Sequence, residues 1–290
     1  MSVDLRSGEW LDDNRANWDE RVPVHLGAGS MYDQQPLRDG RSVLDPIVSA
    51  MLARRFPDGV DGLRMLHLQC HFGSDTLSLA NLGANVVGID FSRPAVDEAR
   101  RMAAELGLDD DRARFVEANV YEAREALPEP GAFDAVFTTW GTIGWLPDVA
   151  EWARIIAWFL KPGGSLVFAD GHPTAFVFDG DGAADGMPAF MYPYGNPEPD
   201  IVVDGSDYAD PDAELVNQRT WEWMHPMDEI HGALRGAGLA IHDFREHYRV
   251  PWRIYPRTVD AGDGMYRWPD RPWLPLSYSI EAVKAGPGAS

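Results

Sequence analysis

From residue 64 onward, short apolar runs of strand length alternate with amphipathic stretches of helix length, and this alternation limits the fold more than any other feature of the chain. Strands are expected at 64–68, 85–90, 113–117, 133–138 and 165–170. Between them fall a helix after Gly73, one that Ser92 caps and that continues to Leu106, a short one near 121–126 and another at 147–160. Strands alternating with helices pair in parallel, because each crossover helix packs back onto the sheet through a right-handed connection. The expected architecture is a doubly wound α/β sheet with helices on both faces. A helix at 226–237 gathers Met227, Ile230, Ala233, Leu234 and Ala237 on one face. Strands at 239–249 and 276–284 lack a full crossover helix between them, so they close the sheet as an antiparallel pair.

Two regions depart from the rhythm. Residues 9–22 mix charges with Trp10, Leu11, Trp18 and Val22 in a weakly apolar helix, and a second helix opens near Ser42 or Asp45, with Pro46 in its first turn, and runs toward Phe56. Residues 173–220 pass through Gly180, Asp181, Gly182, Pro188, Pro193, Pro197, Pro199 and Pro211, a stretch too long for an ordinary connection. The expected division is an N-terminal helical lid over 1–60, a sheet domain built from 61–172 and 221–290, and an insertion over 173–220 that is either a partly structured cap covering a site or a mobile lid.

In an open parallel sheet the ligand lies beyond the carboxyl ends of the strands, where the winding reverses. Here that place is the loop Gln69-Cys70-His71-Phe72-Gly73 after the first strand, facing Asp90 at the end of the second. A carboxylate at that position accepts hydrogen bonds from the vicinal hydroxyls of a ribose, so the pair fits a nucleoside-containing cofactor. A pyrophosphate needs a glycine-rich turn that lets it approach the backbone over a helix N-terminus. Bulky residues fill this turn except at Gly73, which disfavours a dinucleotide and suits a nucleoside whose other end is an amino acid.

These segments, LHLQCHFG at 66–73, DTLSLA at 75–80, Gly83-Ala84 and V-x-GIDFS at 87–92, resemble those of the class I S-adenosylmethionine-dependent methyltransferases. More narrowly, they are similar to those of bacterial small-molecule members of that family. The resemblance implies a Rossmann-like, mostly parallel seven-stranded sheet with an antiparallel last strand, and S-adenosyl-L-methionine as methyl donor. It assigns Gln69, Cys70, His71 and Gly73 to the methionine end of the cofactor, Asp90 to the ribose and Phe91 to packing on the adenine. It places Asn119, followed by Val120, at the adenine amino group, where many relatives carry an aspartate, and it lines the methyl donor with Thr139, Trp140 and Gly141. The segment holding Trp18, Arg21 and His25, with Tyr32-Asp33 after it, is shared by similar sequences and is expected to fold over the cofactor as a lid. Two departures stand out: His67 occupies the first-strand position that is usually acidic, and the glycines usual at 69 and 71 are absent.

Methyl transfer from a sulfonium is an in-line displacement, so alignment of donor and acceptor comes first and a base is needed only for an acidic acceptor. His172, directly after the fifth strand, is the candidate base, weighed against a histidine that merely bonds the loop backbone. His67, within a strand, reads as a buried structural histidine. No histidine shows metal-ligand spacing with carboxylates, so no metal is expected. Trp140, Trp145, Met187, Phe190, Tyr192 and Tyr194 are candidates to wall an acceptor pocket. The absence of Asn-Pro-Pro-Tyr after the fourth strand disfavours methylation of bases and amide nitrogens, and O-methylation is favoured over N- or C-methylation.

The formal charge of −21 repels nucleic acid and anionic membrane over most of the surface, leaving a small-molecule acceptor. Arg253, Arg257, Arg267 and Arg271 form a local basic stretch that keeps an acidic acceptor open. One cysteine, Cys70, precludes an internal disulfide. With no apolar window long enough for a membrane helix and acids at the start of the chain, a cytoplasmic enzyme is expected, a homodimer being one arrangement left open. The alternatives are an NAD-dependent oxidoreductase, supported by the sheet and Asp90 but opposed by the missing glycines, and a cofactor-binding protein without turnover.

Overall fold

The computed structural model describes residues 3–27, 32–179, 188–210 and 212–286. Seven strands form the main sheet: β1 (Arg64–Leu68), β2 (Asn85–Asp90), β3 (Ala113–Glu117), β4 (Phe133–Thr139), β5 (Leu160–Gly171), β6 (Leu239–His247) and β7 (Ser277–Lys284). Their order is β6-β7-β5-β4-β1-β2-β3, and β7 alone runs against the others. The chain therefore winds outward from β1 in both directions, and the reversal point falls between β1 and β4.

Among the described residues six helices of eight residues or more accompany the sheet: α1 (Glu9–His25), α2 (Pro46–Arg55), α3 (Ser74–Asn81), α4 (Arg93–Glu105), α5 (Val149–Phe159) and α6 (Met227–Gly236). Their starts follow local chemistry. The Asp45 carboxylate accepts from the N–H groups of Ile47 and Val48, with Pro46 at the first helical position, and the Ser92 hydroxyl accepts from Ala95. The pleat then divides the core. Leu66, Leu68, Val87, Ile89, Val136 and Phe168 face α1, α5 and α6, whereas Met65, Val86, Ala135, Phe137 and Val167 face α2, α3 and α4. His67 sits on the second face, buried, its Nδ1 2.8 Å from the Thr76 hydroxyl.

Register places the functional edge. Leu68 pairs with Ile89, so Gln69 and Asp90 leave the sheet side by side. The 173–220 stretch forms two short hairpins, Phe178–Asp179 with Ala189–Phe190 and Asp200–Val203 with Arg219–Glu222. The second hairpin is fastened to α1. The Asn14 amide donates to Trp221 O (2.9 Å) and accepts from Trp221 N (2.8 Å), as a neighbouring strand would. Asn17 donates to Asn217 O, and the Glu20 carboxylate receives Val216 N and Asn217 N. A three-stranded sheet of Arg249–Val250, Val259–Asp260 and Tyr266–Arg267 fills the span before β7. Among the described residues no helix is long and apolar enough to cross a membrane.

Candidate active site

The loop after β1 is built around left-handed backbone. Gln69 (φ 57°) and His71 (φ 51°) adopt it without being glycine, and Trp140 (φ 57°) does so in the loop after β4. Such conformations cost on the order of 1 kcal/mol each and persist where the surroundings fix them. The turn thus keeps the shape that glycine would allow at 69 and 71, while the side chains fill it. At Gly73 (φ 82°) a Cβ would stand 2.9 Å from Ala99 Cβ and from Phe115 Cε1, and at Gly88 one would stand 2.7 Å from Phe115 and 2.8 Å from Cys70 Sγ. These two glycines let α3 and β2 close around the loop.

Hydrogen bonds hold the loop against its neighbours. The Gln69 amide donates to Thr142 O (2.8 Å), and its Oε1 is buried with no partner among the described residues. Asp90 is buried and receives His71 N (2.7 Å) and Ser92 N (2.9 Å). Burial pushes its carboxyl up to about 6, with those two N–H bonds acting in the opposite direction. Cys70 turns inward: its thiol packs in the core beside Gly88, and burial pushes it well above the ordinary thiol range. It offers the ligand space no side chain, because the left-handed residues on either side reverse the chain around it.

The loop after β4 is held by Asp170 at the end of β5. Its carboxylate receives Gly141 N (2.6 Å), Thr142 N (3.0 Å), the Thr142 hydroxyl (3.0 Å), Ile143 N and Gly171 N. Thr139 donates to Asp75, and Trp140 donates to Asp45 at 2.7 Å. Burial, reinforced by the charge of Asp45, pushes the Asp75 carboxyl up to about 7.

Asn119, Val120 and Phe91 lie at the ends of β3 and β2. Asn119 caps the turn at 120–122 by accepting Tyr121 N (3.2 Å) and donates to Leu5 O (2.8 Å), so both ends of its amide are engaged within the chain. Val120 is buried in the core. Phe91 is only partly buried, with the Arg15 guanidinium 5.9 Å from its ring centre.

α1 brings a cluster of rings over this edge. Trp18 makes edge contacts with His71 (5.3 Å between centroids) and Trp145 (5.4 Å), and His25 with His71 (5.1 Å). Tyr32 stacks on His25 at 5.0 Å, and its hydroxyl lies 2.7 Å from that of Tyr208. Burial pushes the Tyr32 phenol up to about 12 and the His71 imidazole well below its ordinary value. Asp207 sits beneath, 2.7 Å from Arg21 Nη1 and 3.1 Å from His25 Nε2. Burial alone would raise its carboxyl, but the bond and charge of His25 with the N–H of Ala209 and the charge of Arg21 hold it below the ordinary carboxylate range. Nothing in the residue order signals Asp207 or Tyr208. They lie in the insertion, and the cluster takes shape only when the 200–222 hairpin docks on α1.

His172 is buried beyond β5. Its Nδ1 receives Thr174 N (3.2 Å) and lies 2.8 Å from the Thr174 hydroxyl, capping the turn at 173–175, and Nε2 lies 3.3 Å from Glu246. Burial lowers its pKa. Among the described residues, Phe190 and Tyr194, two rings of the insertion expected in the acceptor wall, contact different partners. Phe190 is 84% exposed and packs on Phe178, while the Tyr194 hydroxyl accepts Met227 N at the start of α6. Of the rings named for that wall, Trp145 joins the cluster, Trp140 packs near Trp252, and Met187 lies outside the described residues. Three of the four C-terminal arginines are spent locally, Arg253 on Pro256 O, Arg267 on Trp268 O and Arg271 over the Trp273 ring, whereas Arg257 Nε is buried with no partner among the described residues.

Comparison with known proteins decides what this edge belongs to. The profile of a family described as a methyltransferase domain matches residues 65–164. Ubiquinone biosynthesis O-methyltransferase of Xanthomonas campestris pv. campestris is 33% identical over 237 residues, which cover 80% of this chain and 83% of that one. The chain belongs to the class I S-adenosylmethionine-dependent methyltransferases. A protein of the same name from Ralstonia nicotianae is 37% identical over 119 residues, a match spanning 40% of this chain and 47% of that one. An S-adenosylmethionine-dependent methyltransferase from Mesorhizobium loti shares the fold, with a TM-score of 0.55 at 22% identity, covering 82% of this chain and 96% of that one. The methyltransferase is thus an enzyme that uses S-adenosyl-L-methionine. A dinucleotide oxidoreductase and a protein without turnover are set aside. The site suits the donor. Asp90 is a buried carboxylate at the end of β2, and Gln69 Oε1 beside it is a buried acceptor with no partner among the described residues.

Proposed function

We propose that this methyltransferase transfers the methyl group to a hydroxyl oxygen of a small-molecule acceptor. The observation that carries the reading is the ring cluster Trp18, His25, His71, Trp145 and Tyr208. It packs over the carboxyl edge of β1 and β4 and sets aromatic rings beside a few convergent polar groups, the usual make-up of a small-molecule site. The O-methyltransferase name of the 33% identical relative supports the same chemistry, and the charge of −21 opposes a nucleic-acid acceptor.

In this reading Asp90 takes the ribose hydroxyls, and Gln69 and His71 the methionine end. Phe91 flanks the adenine, with the Asn119 turn beneath it, and Thr139 to Gly141 border the methyl donor. Bound there, the donor supplies an electrophilic methyl on a sulfonium. The protein's part is alignment of the acceptor oxygen and removal of water. α1 with Tyr32 acts as a lid, and the 200–222 hairpin, clamped to α1, acts as the cap. His172 we assign to shaping the turn after β5, because its Nδ1 lone pair is already taken by Thr174.

Two measurements test the proposal. Calorimetry with S-adenosylhomocysteine should give micromolar binding, and absence of binding at millimolar ligand would sink it. Methyl transfer from labelled donor to phenols, carboxylic acids, amines and thiols should label the hydroxyl acceptors first.

A further inference from the structure

Within the ring cluster His25 is fully buried, and its two nitrogens have different surroundings. Nε2 faces Asp207 Oδ2 at 3.1 Å. An ionised carboxylate only accepts, so Nε2 carries a hydrogen and donates it, and in the neutral ring the lone pair is on Nδ1. Nδ1 is buried and has no hydrogen-bond partner among the described residues. Arg21 donates to the same Asp207 oxygen at 2.7 Å and keeps the carboxylate ionised. The titratable and charged groups around the ring are Arg21 from its own helix, Asp207 and Tyr208 from the insertion, Tyr32, and His71 from the cofactor loop. A basic nitrogen is thus oriented by a carboxylate, buried without a hydrogen-bond partner among the described residues, and carried on a ring 5.1 Å from that of His71 in the loop after β1.

We propose that His25, positioned by Asp207, is the general base for methyl transfer, and that the acceptor it serves is an aromatic hydroxyl. This rests on the hydroxyl reading above and goes beyond it by naming the base and the acceptor class. The aromatic class follows from the walls: Trp18, Tyr32, Phe72 and Tyr208 surround the imidazole with ring faces and edges suited to a planar partner. In the step, the acceptor O–H bond breaks and its proton passes to His25 Nδ1. The oxygen electron pair forms the new O–CH3 bond as the S–CH3 bond breaks, and that bond's electron pair stays on sulfur to give S-adenosylhomocysteine. The imidazolium is balanced by Asp207 and later loses its proton to water. His71 cannot replace His25, because its imidazole is held far below the ordinary range by burial and by the neighbouring His25.

The test uses the full chain with 4-nitrocatechol as probe, whose absorbance reports phenol against phenolate. With S-adenosylhomocysteine bound, the wild-type enzyme near pH 6 should shift bound probe toward phenolate, and His25→Gln should abolish the shift while keeping S-adenosylhomocysteine affinity within about threefold. With labelled donor and unsubstituted catechol, which stays protonated at neutral pH, His25→Gln should lower turnover there by about 10²–10⁴-fold, the usual worth of a general base. The loss should shrink as pH rises past the phenol's own pKa. Asp207→Asn should lower turnover in the same pH-dependent way, and Asp207→Glu should restore part of it. If phenols are methylated and His25→Gln matches wild type at every pH, the dyad's role is overturned while the hydroxyl reading stands. Loss of S-adenosylhomocysteine binding in His25→Gln with the probe spectrum unchanged makes His25 a cofactor contact and likewise overturns the proposal. If only amines or thiols are methylated, or the probe does not bind, the hydroxyl reading and the base fall together.

Discussion

Asp90 shows how much a single buried carboxyl governs at this edge. Burial pushes it up to about 6 although two N–H groups already bond it. Ribose hydroxyls donate to the ionised form, so S-adenosylhomocysteine affinity should rise with pH through about 6 and level off above. Asp90→Asn should flatten that dependence, and Asp90→Ala should weaken binding by about 1–3 kcal/mol, the worth of a lost charged acceptor. Titration calorimetry between pH 5 and 8 measures both. The same direction of shift fixes a sign for folding. A carboxyl whose folded pKa is raised binds its proton more tightly when folded, so its stabilising effect is complete below about pH 4 and is lost as pH rises through the folded value. Asp75, pushed up to about 7, and Asp90 should together make the ligand-free enzyme less stable at pH 8 than at pH 5. Asp75→Asn should reduce that slope in thermal unfolding scans.

At the scale of elements, the strand and helix order was legible because each period, each cap and each glycine was local. Asp45 and Ser92 cap the helices they precede, and the strands at 64–68, 85–90 and 113–117 stand where apolar alternation puts them. The site was legible only in part. Asp90 and Gln69 sit at the edge the winding dictates, but the left-handed backbone at Gln69 and His71 could not be read from residue type, since glycine is its ordinary signal. His25 and Asp207 lie 182 residues apart, and a pairing that long depends on how α1 meets the insertion. Phe190 was read as pocket wall because aromatic content says nothing about which side of a two-residue hairpin faces water. The decisive contact is Asn14, buried and bonded to both backbone groups of Trp221. Asn14→Ala leaves a buried N–H and C=O unpaired and should cost about 1–3 kcal/mol in urea unfolding. Amides of α1 and of 219–222 should then exchange faster together, because one clamp holds both; faster exchange in α1 alone would show that the hairpin is anchored elsewhere.

For the whole molecule, the charge of −21 sets two opposing responses to salt. Screening weakens the exposed ion pairs, such as Arg6–Glu125 and Arg41–Asp39, each worth little in water. It also relieves repulsion among carboxylates that have no basic partner, a term that grows with the square of the net charge. With acids exceeding bases by this margin, the second effect outweighs the first. Raising sodium chloride from about 0.02 to 0.5 M should therefore raise the melting temperature by a few degrees, since the Debye length falls to a few ångströms in that range. Chloride is the right anion, because sulfate would stabilise any fold by exclusion from its surface. The same field acts on acceptors. With Arg253 and Arg267 bonded locally and acids far in excess, a carboxylate-bearing phenol approaches through a negative potential, so its kcat/KM should rise with salt while that of a neutral phenol stays flat. An anionic acceptor whose kcat/KM instead falls with salt would reveal a positive entrance to the site, at odds with that excess of acids.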